Sequence, residues 1–153
     1  MVTLYRLESK NQTGAEMRRL IEQYHGDLQL IKISSGGKTI PIVMLSLLDF
    51  FDFVRRIPYR RDSRPVEVVS RPIEIIRFKD IGMDCKKKSI LICSYLRERF
   101  IPYRLIASSR LPSRRIHHVF PQALLFGKWF NMDATYRTFR PFEPKFVTKM
   151  EVI

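Results

Sequence analysis

Met17, Leu20, Ile21 and Tyr24 recur at intervals of three and four residues, and Thr13 stands three positions before Glu16 as in a capping box. The spacing predicts an amphipathic helix over 14–24. His25, Gly26 and Asp27 read as its stop, with His25 as a cap. From Leu28 to Ser34 apolar and polar residues alternate, which predicts a short strand, and Ser35, Gly36 and Gly37 then mark a turn. Pro41 opens a strongly apolar stretch to Arg56 that contains Leu45, Leu48, Phe51, Phe53 and Val54. It reads as a buried helix ending on Arg55 and Arg56, where the helix dipole favours cations, and its stripe is core rather than a cofactor box.

Residues 57–72 hold three prolines and four arginines and predict a surface loop, with Val66 to Val69 as an extended piece. Pro72 suits a first helical position, so a short helix leads to Gly82. From Asp84 to Phe100 the pattern is helical again, with Ile90, Leu91, Ser94, Tyr95 and Leu96 inward and Cys85 in the first turn. Pro102 breaks that helix, Tyr103 to Ala107 restarts as a strand, and a basic loop runs from Ser108 to Arg115. Two strands, Ile116 to Leu124 and Trp129 to Thr135, form a hairpin across Phe126, Gly127 and Lys128. The remainder, with Pro141, Phe142 and Pro144, reads as a tail over the surface without another element. RRIPYR at 55–60 returns as RFIPYR at 99–104, but each copy marks a helix end and the flanks differ, so it is punctuation rather than a repeat.

At 153 residues, 45% hydrophobic and 28% charged, the chain has the size and apolar content of one folded domain, 1–153. Twenty-eight Lys and Arg against 15 Asp and Glu leave a net charge of +13, which favours polyanionic partners. Clusters at Arg55 to Arg64, Lys86 to Lys88 and Arg110 to Arg115 could make non-specific nucleic-acid contacts, although a solvated basic face explains each one as well. A membrane span is excluded because the best apolar stretch, Ile42 to Val54, contains Asp49 and Asp52. The start, MVTLYRLESK, does not read as a secretion signal. Cys85 and Cys93 lie eight positions apart on one helix, about 12 Å of rise, too far to bridge, so both are expected as free thiols. With two Cys and three His at unrelated spacings, no metal site and no cofactor is expected.

A cysteine at a helix amino terminus is chemically informative because unpaired backbone amides there stabilise a thiolate, and Lys86, Lys87 and Lys88 add positive charge nearby. The bland alternative is a small buried hydrophobe, the reading that applies to Cys93. Nucleophilic catalysis needs a base beside the thiol and a third group to orient that base, and the hairpin offers His118 and Asp133. Strand parity puts these two on one face for any even-length loop. A two-residue loop at Gly127 and Lys128 would leave Asp133 roughly 13 Å from His118. A four-residue loop, Leu125 to Lys128, pairs His118 with Thr135 and leaves Asp133 a diagonal neighbour at roughly 7 Å, within reach. The longer loop is the expectation. His117 points to the opposite face with Val119, toward packing or solvent.

The run GMDCKKKSILICSYLRERFIPYRLIAS, followed by HHVF and KWFNMDATY, resembles the transglutaminase-like (papain-like) cysteine superfamily, in which a helix-borne Cys is followed by a strand His and then by Trp and Asp. The likeness runs from about residue 45 to 136, with an N-terminal extension over 1–40 and a C-terminal tail over 137–153. RRIPYRRD and SRPIE are similar to segments of short versions encoded by phages and prophages. The resemblance implies an α+β fold whose nucleophile-bearing helix packs on an antiparallel sheet. It implies Cys85 as nucleophile, His118 as base, Asp133 as orienter, Trp129 as a hairpin packing residue and no cofactor. Met83 interrupts the usual Gly-Asp-Cys, and Tyr59 is the nearest guess for a second oxyanion donor. Two functions compete. One is acyl transfer on amide bonds of a protein or peptide substrate, by hydrolysis or crosslinking. The other is a non-catalytic block among virion subunits of a tailed phage, so that the chain works in the bacterial cytoplasm or the particle. A free nucleic-acid binder rests on charge alone.

Overall fold

The computed structural model describes residues 10–62 and 69–153. Helix α1 (Lys10–Tyr24) carries Met17, Leu20 and Ile21 on its buried face. A single helical turn, α2 (Asp27–Leu30), follows where alternation predicted a strand, because Asp27 is buried. Its carboxylate accepts from Arg71 Nε at 2.8 Å and from the Ile73 amide at 3.2 Å. The strand is confined to β1 (Lys32–Ser35), which pairs with β2 (Lys38–Pro41) across Gly36 and Gly37, at φ 57° and 77°. That left-handed backbone is what two glycines supply in a tight hairpin.

Pro41 does not open a helix but closes β2. A 3-10 turn spans Ile42–Met44, and α3 (Leu47–Arg56) starts only after Ser46, whose hydroxyl accepts from the Asp49 amide at 3.1 Å. The apolar run is thus broken by its own N-cap. Pro72 is the first residue of α4 (Pro72–Arg77), which passes through a 3-10 turn at Lys79–Ile81 to Gly82. The expected extended piece Val66 to Val69 lies outside the described residues except for Val69, which is buried.

Helix α5 (Cys85–Glu98) is the axis of the core, and every residue from Lys88 to Leu96 is buried. Phe50, Phe51 and Val54 of α3, the apolar face of α1, Leu28 and Ile75 surround it. The Tyr95 ring stacks on Phe50 with centroids 4.4 Å apart, and its hydroxyl donates to the Leu45 carbonyl at 2.6 Å. Each fully buried Leu or Ile here contributes about 1.5–3 kcal/mol.

Strands β3 (Tyr103–Ser109), β4 (His118–Leu125), β5 (Lys128–Asn131) and β6 (Lys149–Val152) form one antiparallel sheet in the order β5-β4-β3-β6. Leu105, Val119 and Ala123 join it to the core around α5, so the fold is α+β with the Cys85 helix packed on an antiparallel sheet. The expectation that nothing regular lies beyond residue 137 fails at β6, which pairs with Ile106 to Ser109. Its short, half-exposed sequence KMEV carries little apolar signal, and backbone pairing at a sheet edge decides it. Among the described residues no helix is long and apolar enough to cross a membrane.

Candidate active site

Cys85 is placed by a backbone device just before its helix. Gly82 has φ +94°, and a Cβ there would meet the Pro58 carbonyl oxygen at 2.9 Å. The close approach lets the Met83 amide donate to Pro58 O at 2.9 Å and the Arg60 amide to Met83 O at 3.1 Å, fixing Tyr59 alongside. Met83 is buried as the anchor of this bridge. Asp84 then caps α5, its Oδ1 accepting from the Lys87 amide at 3.1 Å. Cys85 is the first helical residue, and its own amide has no partner within the helix.

The lysines do not form the open basic cluster their spacing predicts. Lys86 Nζ lies 2.7 Å from Asp84 Oδ2, and Lys87 Nζ 2.9 Å from Asp62 Oδ1. Burial pushes the Asp84 carboxyl up, and Lys86 opposes this. Lys88 is 1% exposed and donates to the carbonyls of Ile57 at 2.5 Å, Thr135 at 2.8 Å and Arg55 at 3.4 Å. Burial pulls its ammonium down to about 8, against the opposing pull of Asp133. The carbonyls at the end of α3 are thereby satisfied from α5.

The hairpin closes more tightly than expected but in the expected register. Leu125 pairs with Lys128, leaving only Phe126 and Gly127 in the turn, at φ 52° and 74°. Continued, that register brings residue 118 opposite 135, and Met132 N–H still donates to Pro121 O beyond β5. Met132 and Ala134 enter the core, so Asp133 alternates to the other side. There His118 Nε2 lies 2.7 Å from Asp133 Oδ2. The other oxygen, Oδ1, accepts from the Thr135 amide at 3.1 Å and the Thr135 hydroxyl at 2.6 Å. Burial alone would neutralise the histidine, but its bonds to Asp133 and then to the Cys85 thiol raise it to about 9. Burial works against Asp133 as well, yet His118, Lys145 and Thr135 hold it down at about 2. Since Nε2 faces Asp133, Nδ1 is the ring nitrogen left for the thiol.

The structure therefore brings Cys85, His118 and Asp133 together, at the foot of a cavity of about 360 Å³ lined by Tyr59, Arg61, Cys85, Arg110, His117, His118 and Tyr136. His117 lines this cavity too, rather than the opposite face. It precedes β4, where strand alternation does not apply, and its Nε2 accepts from the Arg110 amide at 2.9 Å. The Tyr59 and Tyr136 rings lie 4.8 Å apart, and burial followed by the neighbouring Tyr136 pushes the Tyr59 phenol up to about 12. Trp129 stands at the hairpin surface with the Arg104 guanidinium 4.3 Å over its ring. His25 is not a simple cap, since its Nδ1 pairs with Glu98 on α5. Cys93 is fully buried and unpaired, and burial pushes its thiol well up.

Sequence reasoning missed Lys145, whose Nζ lies 2.9 Å from Asp133 Oδ2 and 3.6 Å from the centroid of Phe139. Its side chain is buried. Thr135 and Lys88 were also missed as supports. Thr135 had a readable signal, standing two residues after Asp133, the spacing at which an Asp side chain bonds backbone. Among the described residues no group of three or more His, Cys, Asp or Glu is placed to hold a metal ion.

No protein-family model matches the chain, and no curated protein matches it. A solved structure of a candidate cysteine protease from Cytophaga hutchinsonii aligns with 92% of this chain at a TM-score of 0.49 and 15% identity. The alignment covers 52% of that protein, so the chain spans about half its length.

Proposed function

We propose that the chain is a cysteine-nucleophile enzyme of the transglutaminase-like type, acting on amide bonds of protein or peptide substrates. The observation that carries this reading is the imidazole of His118 held between the buried Asp133 carboxylate and the Cys85 thiol, beneath a cavity that reaches solvent. The sulfur attacks the amide carbonyl with its proton on His118, and the helix-terminal amide of Cys85 receives the oxyanion. His118 gives that proton to the leaving amine, a thioester remains on Cys85, and water or an acceptor amine releases the acyl group. Asp133 holds the ring and favours the imidazolium, while the neutral Tyr59 phenol is a second donor at the rim. The likeness of the segments around residues 55–75 to short phage-encoded proteins supports a phage origin, with action in the host cytoplasm or the particle.

Fluorogenic peptide amides and protein substrates test the reading. Cys85→Ala should remove turnover, His118→Ala should lower it about 10⁴-fold or more, and Asp133→Asn should leave a weak residue of activity. Iodoacetamide with mass mapping should modify Cys85 well before Cys93. Equal or faster labelling of Cys93, or no acyl-enzyme with any substrate, would return the chain to the role of a particle component.

A further inference from the structure

We propose that this cleft selects amide substrates carrying a carboxylate beside the reacting bond, received by Arg61 and Arg110; the proposal rests on the cysteine-nucleophile reading of the same site. Its ground is an imbalance of charge. The cavity wall contains two arginines and two histidines and no Asp or Glu. The acids close to it are already matched: Asp133 by His118 and Lys145, Asp84 by Lys86, and Asp62 by Lys87.

Arg61 and Arg110 are exposed, and among the described residues neither guanidinium has a carboxylate partner. Other surface arginines, such as Arg99, Arg114 and Arg137, likewise have no carboxylate partner among the described residues, and what sets Arg61 and Arg110 apart is their place in the cavity wall beside Cys85. Arg110 is held at the rim by its own amide bond to His117 Nε2, with its guanidinium 5.7 Å from the Phe139 ring. A guanidinium stays charged at any working pH and presents a planar fork that fits a carboxylate. Walls of low dielectric concentrate the field of such groups over the sulfur. At about 360 Å³ the cavity lies at the small end of ligand sites, about 300–1,000 Å³, which suits a short stretch of acidic peptide and not a nucleic-acid duplex.

Paired alkylation tests the charge directly. Iodoacetate and iodoacetamide deliver the same carbon to a thiol and differ by one negative charge, so the ratio of their rates at Cys85, divided by the ratio for glutathione, reads the field of the cleft. The expected value is about tenfold at low ionic strength, falling with salt and falling several-fold in Arg61→Gln/Arg110→Gln. The second arm is protection of Cys85 from iodoacetamide, where a glutamate-bearing peptide amide should protect at about tenfold lower concentration than its glutamine counterpart. If iodoacetamide selects Cys85 but the normalised ratio is one or lower, or is the same in the double variant, the carboxylate proposal falls and the enzyme reading stands. Equal protection by the two peptides overturns the proposal, as does protection by a DNA oligonucleotide where the acidic peptide gives none. If iodoacetamide does not prefer Cys85 to Cys93, both readings fall together.

Discussion

One oxygen of Asp133 is shared by two cations: Oδ2 lies 2.7 Å from His118 Nε2 and 2.9 Å from Lys145 Nζ. The carboxylate that orients the imidazole is thus half-neutralised by an ammonium from a distant part of the chain. Without Lys145, Asp133 would pull harder on its histidine.

Lys145→Met should accordingly move the titration of His118 upward, by roughly one unit, because a cation near the imidazolium is lost. The same change relieves part of what holds Asp133 ionised. A titration of the His118 ring by NMR reads the effect, and a downward shift or none would contradict it.

Three groups around the site make stability depend on pH. His118 is raised from 6.5 to about 9, so its contribution, on the order of 3 kcal/mol, is complete below pH 6.5 and lost as pH rises to about 9. Asp133 is lowered from 3.8 to about 2, so its share is complete above pH 3.8 and lost as pH falls to about 2. Both numbers describe one ion pair and do not add. Lys88 acts in the opposite sense, because its ammonium is held down from 10.5 to about 8 and stability rises between those values. Urea unfolding should show a decline from about pH 6.5 that slows above pH 8. A flat or rising curve between pH 6.5 and 8 would refute the assignment.

Replacing Lys88 by Met leaves the carbonyls of Ile57 and Thr135 buried without a donor. The expected loss is about 2–4 kcal/mol in urea unfolding. A loss below about 0.5 kcal/mol would show that water takes over both bonds.

Gly82→Ala forces a methyl against the Pro58 carbonyl in a backbone region that side chains rarely adopt. A cost of about 2 kcal/mol is expected, lowering Tm by about 4–8 °C. A variant as stable as the parent would mean that the 58–60 segment moves aside without penalty.

The parts of the site that the sequence made legible are those governed by short periods. The 2-residue repeat of a strand put His118 and Asp133 on one face, and even-loop parity left few registers to choose from. Helical spacing placed Cys85 in a first turn and Cys93 inside. Lys88 was opaque because three adjacent lysines read as a solvated run, whereas position 88 lies one turn beyond Cys85 on a helix with no exposed face at that level. Ser46 and Asp49 carried a capping signal that could have shortened the helix predicted from Pro41. Lys145 was invisible for a different reason: it reaches Asp133 through an irregular segment, 12 residues on, and no periodicity describes such a path.

That segment is closed at both ends, by β5 against β4 on one side and by β6 against β3 on the other. Lys145 therefore meets Asp133 as a tethered ion, at an effective concentration that no free cation in solution matches. Pulling the last strand off the sheet edge dilutes the ammonium away from the carboxylate, although nothing at the thiol has been touched. The grip of four residues at the rim of the sheet and the basicity of a histidine two strands away are one thermodynamic variable, written at two places in the chain.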